Sequence, residues 1–477
     1  MNLEFIRPIV RYVPQVALPK RHVPFKEKLM WTGAVLLLFF VMGSILPIGV
    51  HQEDIREEYR ILQVVLASKI GTLISVGIGP IVTASIILQL LVGAKMLDID
   101  LTTQDGRALF QTAQKILTIV ITFLEVSAVV AGFQLGRTLI EKMGESWSLL
   151  HPLVLFIIFQ IALGSIFLMY LDEVVSKWGI GSGIGLFIAG GVSQRIISAS
   201  FNPLTSSGGS YWGAIPRTID DFMNGKVDFF EIFTSDYLFP VLAVIAVFIV
   251  VVYCESMRLE IPLSYGGIRG IGGRYPLKFF YVSNIPVILT WALIENIRIW
   301  TRLMGVDITS EPLESYDKLQ IIAYYIGRNF TLGELHGILA PDNLYKLADP
   351  TIIAHLVLYS LFFIALCILF GKFWVETTGL DARSIAEQIE DAGMQIPGFR
   401  RDRRIIEKVL NRYIPPITII SSIAVGLVAL VADLTGAYGT GTGILLTVGI
   451  LYNMYEQIKR EQMIEMHPAF RKFMGKL

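Results

Sequence analysis

Charge is scarce in this chain. Only 17% of its 477 residues are Asp, Glu, Lys or Arg, against about 25% in an ordinary soluble domain. The 40 acidic and 40 basic side chains cancel, so bulk charge points to no nucleic-acid or acidic partner. Cysteine is scarcer still, with two residues. Cys254 and Cys367 lie singly inside apolar runs, which excludes a disulfide framework or zinc-ligand spacing and leaves thiols acting as small buried hydrophobes. No phosphate-binding loop, nucleophile pair or metal constellation is found. The chain is therefore expected to be no enzyme and to need no cofactor or metal. Gly267–Gly273 reads loosely as GxGxxG, but no strand is expected before it and no helix after it in register. A cleavable signal is not expected either. Arg7, Arg11, Lys20, Arg21, Lys26 and Lys28 precede the first apolar run, and no small-residue cleavage site follows it.

What the chain has instead is long uncharged sequence, with a mean hydropathy of +0.60. Ten spans are expected; the longest uncharged one, Ile70–Gly93, is long enough to cross a bilayer core of about 30 Å at about 1.5 Å per residue. They run over residues 29–46, 70–93, 108–133, 151–171, 182–197, 238–254, 281–300, 351–370, 414–431 and 442–455. Lys and Arg in alternate connections outnumber those in the others by more than two to one, which predicts that both termini are cytoplasmic. The polar stretch 198–237 divides five spans from five. A second polar stretch, 301–350, contains a helical pattern near Lys318–Gly327.

Three features stand apart from span and connector. Residues 55–69 are too short and too charged to span, and Ile70–Gly93 beside them is interrupted by Gly77, Gly79 and Pro80. Such a pair marks a site or gate in a membrane protein. Ile78 and Val82 share a helix face at i, i+4, as do Ile184 and Ile188; close packing explains such pairs equally well. Thr83, Glu125, Glu295 and Asn296 are polar at membrane depth. They suit an ion-coupled transporter or a channel alike, and Glu295 with Arg298 at i, i+3 also reads as a simple ion pair. Two basic loops, 255–280 and 371–413, carry Arg258, Arg269, Arg274 and Lys278, then Arg400, Arg401, Arg403, Arg404, Lys408 and Arg412. They serve as orientation signals or as a docking platform for a polyanion or an acidic surface. The second follows a helix-like DARSIAEQIEDAG.

Four long runs then carry a resemblance. GTLISVGIGPIVTASIILQLLVG (Gly71–Gly93), RGIGGRYPLKFFYVSNIPVIL (Arg269–Leu289), GMQIPGFR (Gly393–Arg400) and TGTGILLTVGILYNMYEQI (Thr440–Ile458) resemble the SecY family, the pore subunits of the Sec protein-conducting channel. The YPLKFFYVSNIPVIL wording is similar to the archaeal and eukaryotic branch. The resemblance covers essentially the whole chain, apart from 198–237 and 301–350.

It implies an all-α polytopic fold of ten transmembrane helices in two pseudo-symmetric five-helix halves around an hourglass pore, in the cell membrane. Residues 1–28 would be a cytoplasmic basic arm, 29–197 the first half, 198–237 an external hinge, 238–455 the second half and 456–477 a cytoplasmic tail. The implied pore ring is Ile78, Val82, Ile184, Ile188, Ile288 and Leu446. The implied plug is 57–69, with Glu57, Tyr59, Ile61, Leu62, Val65 and Leu66. The polar cluster of a lateral gate would be Thr83, Glu125 and Asn296, with Gly71 letting the plug swing and Pro80 bending the span. Ribosome or driver docking would fall to Arg269, Arg274, Lys278, Arg400 and Arg401. Implied partners are small subunits of the SecE/gamma and SecG/beta types, the ribosome, signal sequences, nascent polypeptides and the bilayer.

Overall fold

The computed structural model describes residues 14–21, 23–51, 71–93, 97, 104–205, 210–265, 272–284, 286–291, 293–294, 297, 317–327, 337–391, 393–395 and 403–466. The chain forms two compact units, Met1–Val192 with Ile450–Leu477, and Ser193–Gly449. The expected plug 57–69, with Glu57, Tyr59, Ile61, Leu62, Val65 and Leu66, lies outside the described residues, as do Glu295, Asn296, Arg298, Arg269, Arg400 and Arg401.

The first unit contains α1 (Phe25–Met42), α2 (Gly79–Gly93), α3 (Gln104–Phe133), α4 (Arg137–Lys142), α5 (Pro152–Trp178) and the start of α6 (Gly183–Phe201). Helix α5 is its centre and packs on α1 and α3. Val154, Ile157, Ile158, Ile161 and Ala162 are buried against Val76, Val126, Val130 and Leu135. Pro152 opens α5, where a missing N–H costs nothing, and His151 caps it by accepting from Leu153 N at 3.2 Å.

Ahead of α2 the chain does not form the straight span expected from Ile70. Residues 71–78 run as successive turns, with Gly71 and Gly77 at φ of +83° and +54°. The helix starts only at Gly79. Pro80 therefore sits in the first helical turn, where proline is tolerated, and does not bend a helix interior.

An extended arm crosses the end of α5. Lys115 Nζ donates to Pro14 O at 3.1 Å, Lys177 Nζ to Val16 O at 2.5 Å and Trp178 Nε1 to Ala17 O at 2.9 Å. Glu173 bridges the two lysines at 2.8 and 2.7 Å and accepts from the Val16 N–H. These bonds go to backbone atoms, so they hold an extended chain without reading its side chains. In Glu173→Ala, amide exchange at Val16 should rise by roughly tenfold or more, since a hydrogen bond to a charged group contributes about 1.5–3 kcal/mol. Unchanged exchange would show that the arm is held elsewhere.

The second unit holds α7 (Ala214–Met223), α8 (Phe239–Ser256), β1 (Arg258–Tyr265), β2 (Gly272–Lys278), helical backbone at 286–291, α9 (Lys318–Gly327), α10 (Pro350–Thr377), α11 (Ala382–Asp391), β3 (Met394–Gln395), α12 (Arg403–Leu434) and the start of α13 (Gly441–Met466). Asp349 caps α10, accepting from Thr351 N at 2.9 Å and Thr351 Oγ1 at 2.8 Å. Those bonds hold its carboxyl below the ordinary carboxylate range. Cys254 and Cys367 are both free thiols, Cys367 buried and Cys254 half-buried.

Six helices among the described residues are long and apolar enough to span: Ala108–Phe133 within α3, α5, α6, α8, Pro350–Glu376 within α10, and α12. The other four expected spans escape that measure for local reasons. Helix α1 begins with Lys26, Glu27 and Lys28, and α2 has only 15 residues. Residues 281–300 are described in part. Helix α13 mixes its apolar start with Glu456, Lys459 and Arg460.

The described parts of the basic loops form a small sheet. Strands β1 and β2 pair antiparallel from Arg258↔Lys278 to Ser264↔Gly272, and β1 also pairs β3 at Ser264↔Gln395 and Tyr265↔Met394. A strand does precede Gly267–Gly273, against expectation, but Gly272 and Gly273 already belong to a second strand, so no phosphate-binding helix start is made there.

Candidate functional site

Alternation along the strands decides which basic side chains face outward. Ile261 and Leu263 of β1 and Leu277 of β2 point inward, onto Ile385 and Ile389 of α11 and Ile406 and Leu410 of α12. Period two then turns Glu260 and Arg274 to the opposite face. Arg274 is 75% exposed and bonds Glu260 on the neighbouring strand. Lys278 is half-buried at the end of the ladder, opposite Arg258. Arg403 forms a bidentate pair with Glu387 at 2.9 Å for both bonds. The two basic loops therefore share one packed core, and their described charges stand on a rigid base.

In the first unit, the turns before α2 deliver Ile78 and Val82. Ile78 O accepts from Val82 N at 3.1 Å, which closes the first helical turn and sets the two side chains one above the other. Ile78 is buried and Val82 half-buried. Gly164 of α5 lies against the Leu73 carbonyl so closely that a Cβ there would overlap it. That contact fixes the approach of residues 71–78 to α5.

Helix α6 carries Ile184, half-buried, and Ile188, buried. Asp172 of α5 holds its start, accepting from Ile184 N at 2.9 Å. Gly183 packs on Asp172 with no room for a side chain, and Phe187 stacks on Phe39 of α1 at 4.9 Å. Asp172 was not among the sequence candidates, although an acid at a span end followed by a glycine-rich helix start is the pattern of a cap supplied from a neighbouring helix.

Of the three polar gate candidates, the described residues bring two together. Thr83 Oγ1 of α2 donates to Glu125 Oε1 of α3 at 3.1 Å, one residue beyond Val82. Asn296 is outside the described residues.

In the second unit, Ile288 is half-buried and its N–H donates to Asn284 O at 3.2 Å. Asn284 Nδ2 donates to Leu445 O at 3.3 Å, beside the buried Leu446. The segment before Ile288 and the helix carrying Leu446 are thus tied by a buried amide. A second missed acid, Asp433 near the end of α12, accepts from Gly441 N at 2.6 Å and so caps α13.

Comparison with known proteins follows the same lines. The sequence profile described as SecY matches residues 72–455. The protein translocase subunit SecY of Pyrococcus horikoshii is 45% identical over 473 residues, covering 97% of this chain and 97% of that one. A SecY structure that concerns the plug domain, described as stabilising the closed state of the translocation channel and maintaining a membrane seal, superposes with a TM-score of 0.72. It is 42% identical, and the match covers 97% of this chain and 99% of that one. The Sec channel in a canine ribosome–channel complex from the endoplasmic reticulum superposes with a TM-score of 0.72 at 44% identity, over 97% of this chain and 99% of that one.

Proposed function

This chain belongs to the SecY family, and from that premise we propose which of its residues seal, gate and dock the channel. It is a ten-span, multi-pass membrane protein and a protein translocase subunit, a channel for polypeptides that catalyses no reaction. Its seal is Ile78, Val82, Ile184, Ile188, Ile288 and Leu446. Branched aliphatic side chains at a constriction exclude water and so bar ions, yet part around an extended chain without reading its sequence. The observation that carries this reading is the repeated i, i+4 aliphatic pair, at the entry to α2 and on α6, with a polar Thr83–Glu125 contact one residue past the first pair.

Residues 57–69 are the plug that closes the resting channel. Arg269, Arg274, Lys278, Arg400 and Arg401 dock the ribosome on the platform built from β1, β2, α11 and α12. Both termini are cytoplasmic, in the cell membrane, and small subunits of the SecE/gamma and SecG/beta types complete the assembly. Domain limits follow the same plan, with 29–197 and 238–455 as the two halves.

The experiment places a photoreactive side chain at each ring position in turn and stalls a nascent chain in transit. Each ring position should capture the chain, and positions on the lipid-facing side of α8, such as Ile245, should not. Capture at none of the six would overturn the ring.

The gate is expected to be weak. Buried polar contacts between membrane helices contribute about 0.6 kcal/mol on average, so the Thr83–Glu125 bond contributes a threshold more than a lock. In Thr83→Val, signal sequences of lower hydrophobicity should become competent, by a shift of about one leucine-for-alanine step or less. An unmoved threshold in a graded signal series would remove Thr83 from the gate.

A further inference from the structure

Helix α7 is inside out. An ordinary surface helix buries its apolar stripe and shows a polar one to water. Here the buried residues are Ala214, Thr218 and Asp221, at i, i+4 and i+7. Asp221 is held by Lys226 at 3.1 Å and Arg217 at 4.0 Å and accepts from the Tyr237 hydroxyl at 3.5 Å. Arg217 also lies 5.2 Å from the centre of the Tyr237 ring. The Asp221 carboxylate is thus paired within the segment. The outward face carries Ile219 (55% exposed), Phe222 (49%) and Met223 (80%), at i, i+3 and i+4.

The chain beyond α7 repeats the theme. Phe229, Phe230 and Phe233 are all exposed. They meet edge to face, with ring centres of Phe229 6.0 Å from Phe230 and 5.8 Å from Phe233. Ile232 between them is buried. Ser235 anchors this loop, donating to Asp342 through its N–H at 3.0 Å and its hydroxyl at 2.5 Å.

The place of the segment in the chain names what covers this face. It leaves a membrane-spanning helix, α6, at the exposed Phe201 and re-enters one, α8, at Phe239. Both ends therefore lie at the membrane boundary. The outward face of α8, with Leu242, Ile245 and Ile249, is the same kind of uncharged apolar surface. A face that follows on from lipid-facing spans and is rich in phenylalanine, with one exposed acid (Glu231, whose carboxylate accepts from Asp228 N at 3.1 Å), matches the headgroup–acyl boundary, where polar groups at the edge stay in water. We propose that α7 and residues 229–233 lie in that boundary, with Ile219, Phe222, Met223, Phe229 and Phe230 entering the lipid acyl chains. The segment is then a lipid anchor between two spans, a role separate from conduction.

Nitroxide depth measurement tests this on the full chain in phosphatidylcholine vesicles. Cys254→Ala and Cys367→Ala remove the native thiols. Single labels are placed through Ile219→Cys, Phe222→Cys and Met223→Cys, with Asp220→Cys on the flank and Ile245→Cys of α8 as the lipid reference. Labels at 219, 222 and 223 should collide more often with oxygen than with a water-soluble nickel chelate, as the reference does, and the label at 220 should show the smaller preference for oxygen. A preference for nickel at the three positions would place the stripe in water and overturn the proposal. Exclusion of both reagents would also overturn it, by showing that protein covers the stripe.

Discussion

Replacing Val82 and Ile184 together with asparagine is expected to raise the ion current through the resting channel roughly tenfold or more. An aliphatic constriction stops ions because water leaves it, and an amide in its wall gives water a partner that holds it there. Lowering the barrier by only about 1.4 kcal/mol is enough for tenfold. These two positions are chosen because both are half-buried. An amide there reaches solvent, and the fold does not have to absorb it. The same change at Ile78 or Ile188, both buried, would leave an unpaired polar group in the core at a cost of about 1–3 kcal/mol, and leak would be confounded with unfolding. Ile184→Leu keeps the aliphatic wall and should leave the baseline alone. Single-channel recording in planar bilayers reads the result. A folded double variant with an unchanged resting current would take Val82 and Ile184 out of the seal.

The spans were legible because hydropathy and length act locally. The ends of the spans were not, and that is where information was lost. The apolar runs end at Leu171 and Val431, so Asp172 and Asp433 read as the first charges of a loop. The helices continue to Trp178 and Leu434, which turns both acids into caps for the helices that follow, Asp172 half-buried and Asp433 buried. Ten uncharged residues precede Pro80, so the sequence places it inside a span, as a bend. Gly71 and Gly77, at positive φ, delay the helix until Gly79 and so move the proline into the first turn.

The sheet is hidden in the sequence for a different reason. The alternation of Leu259, Ile261 and Leu263 is present, but Pro262 in the middle argues against a central strand. In the register Pro262 lies opposite Arg274 of β2, and among the described residues β3 meets β1 at Ser264 and Tyr265, past the proline. Pairing between loops more than 100 residues apart leaves no local signal at all. The aliphatic pairs at 78/82 and 184/188 were legible as pairs, since i, i+4 spacing needs only the sequence. Whether such a pair packs or seals depends on what faces it, which spacing does not encode.

The corner between α12 and α13 supplies the other large effect. Gly441→Ala is expected to destabilise the protein by about 1–3 kcal/mol or more. An added Cβ would overlap the Ala429 carbonyl oxygen, and would lie 2.6 Å from Ala432 Cβ and 2.7 Å from Asp433 N. None of these is the end of a flexible side chain, so relief requires the two helices to part. Parting them stretches the 2.6 Å bond from Gly441 N to the buried Asp433 carboxylate. Thr440, just before, is already held at a φ of +64°, strained for a β-branched residue, with its hydroxyl oxygen accepting from Gly443 N at 3.1 Å. The corner thus has no slack left with which to absorb a methyl group.

Asp433→Ala should be milder, about 0.5–2 kcal/mol, the cost of a lost cap. Asp433→Asn should be milder still, because its carbonyl oxygen can accept from Gly441. The order Gly441→Ala, Asp433→Ala, Asp433→Asn in thermal unfolding of the purified protein is the signature of a rigid corner. Leu446 lies five residues beyond Gly441 on the same helix, so movement of the corner moves that side chain as well. Gly441→Ala should therefore also reduce capture of a stalled nascent chain by a photoreactive group at position 446. Wild-type stability together with full capture at 446 would show that the corner neither stiffens the second unit nor sets the position of Leu446.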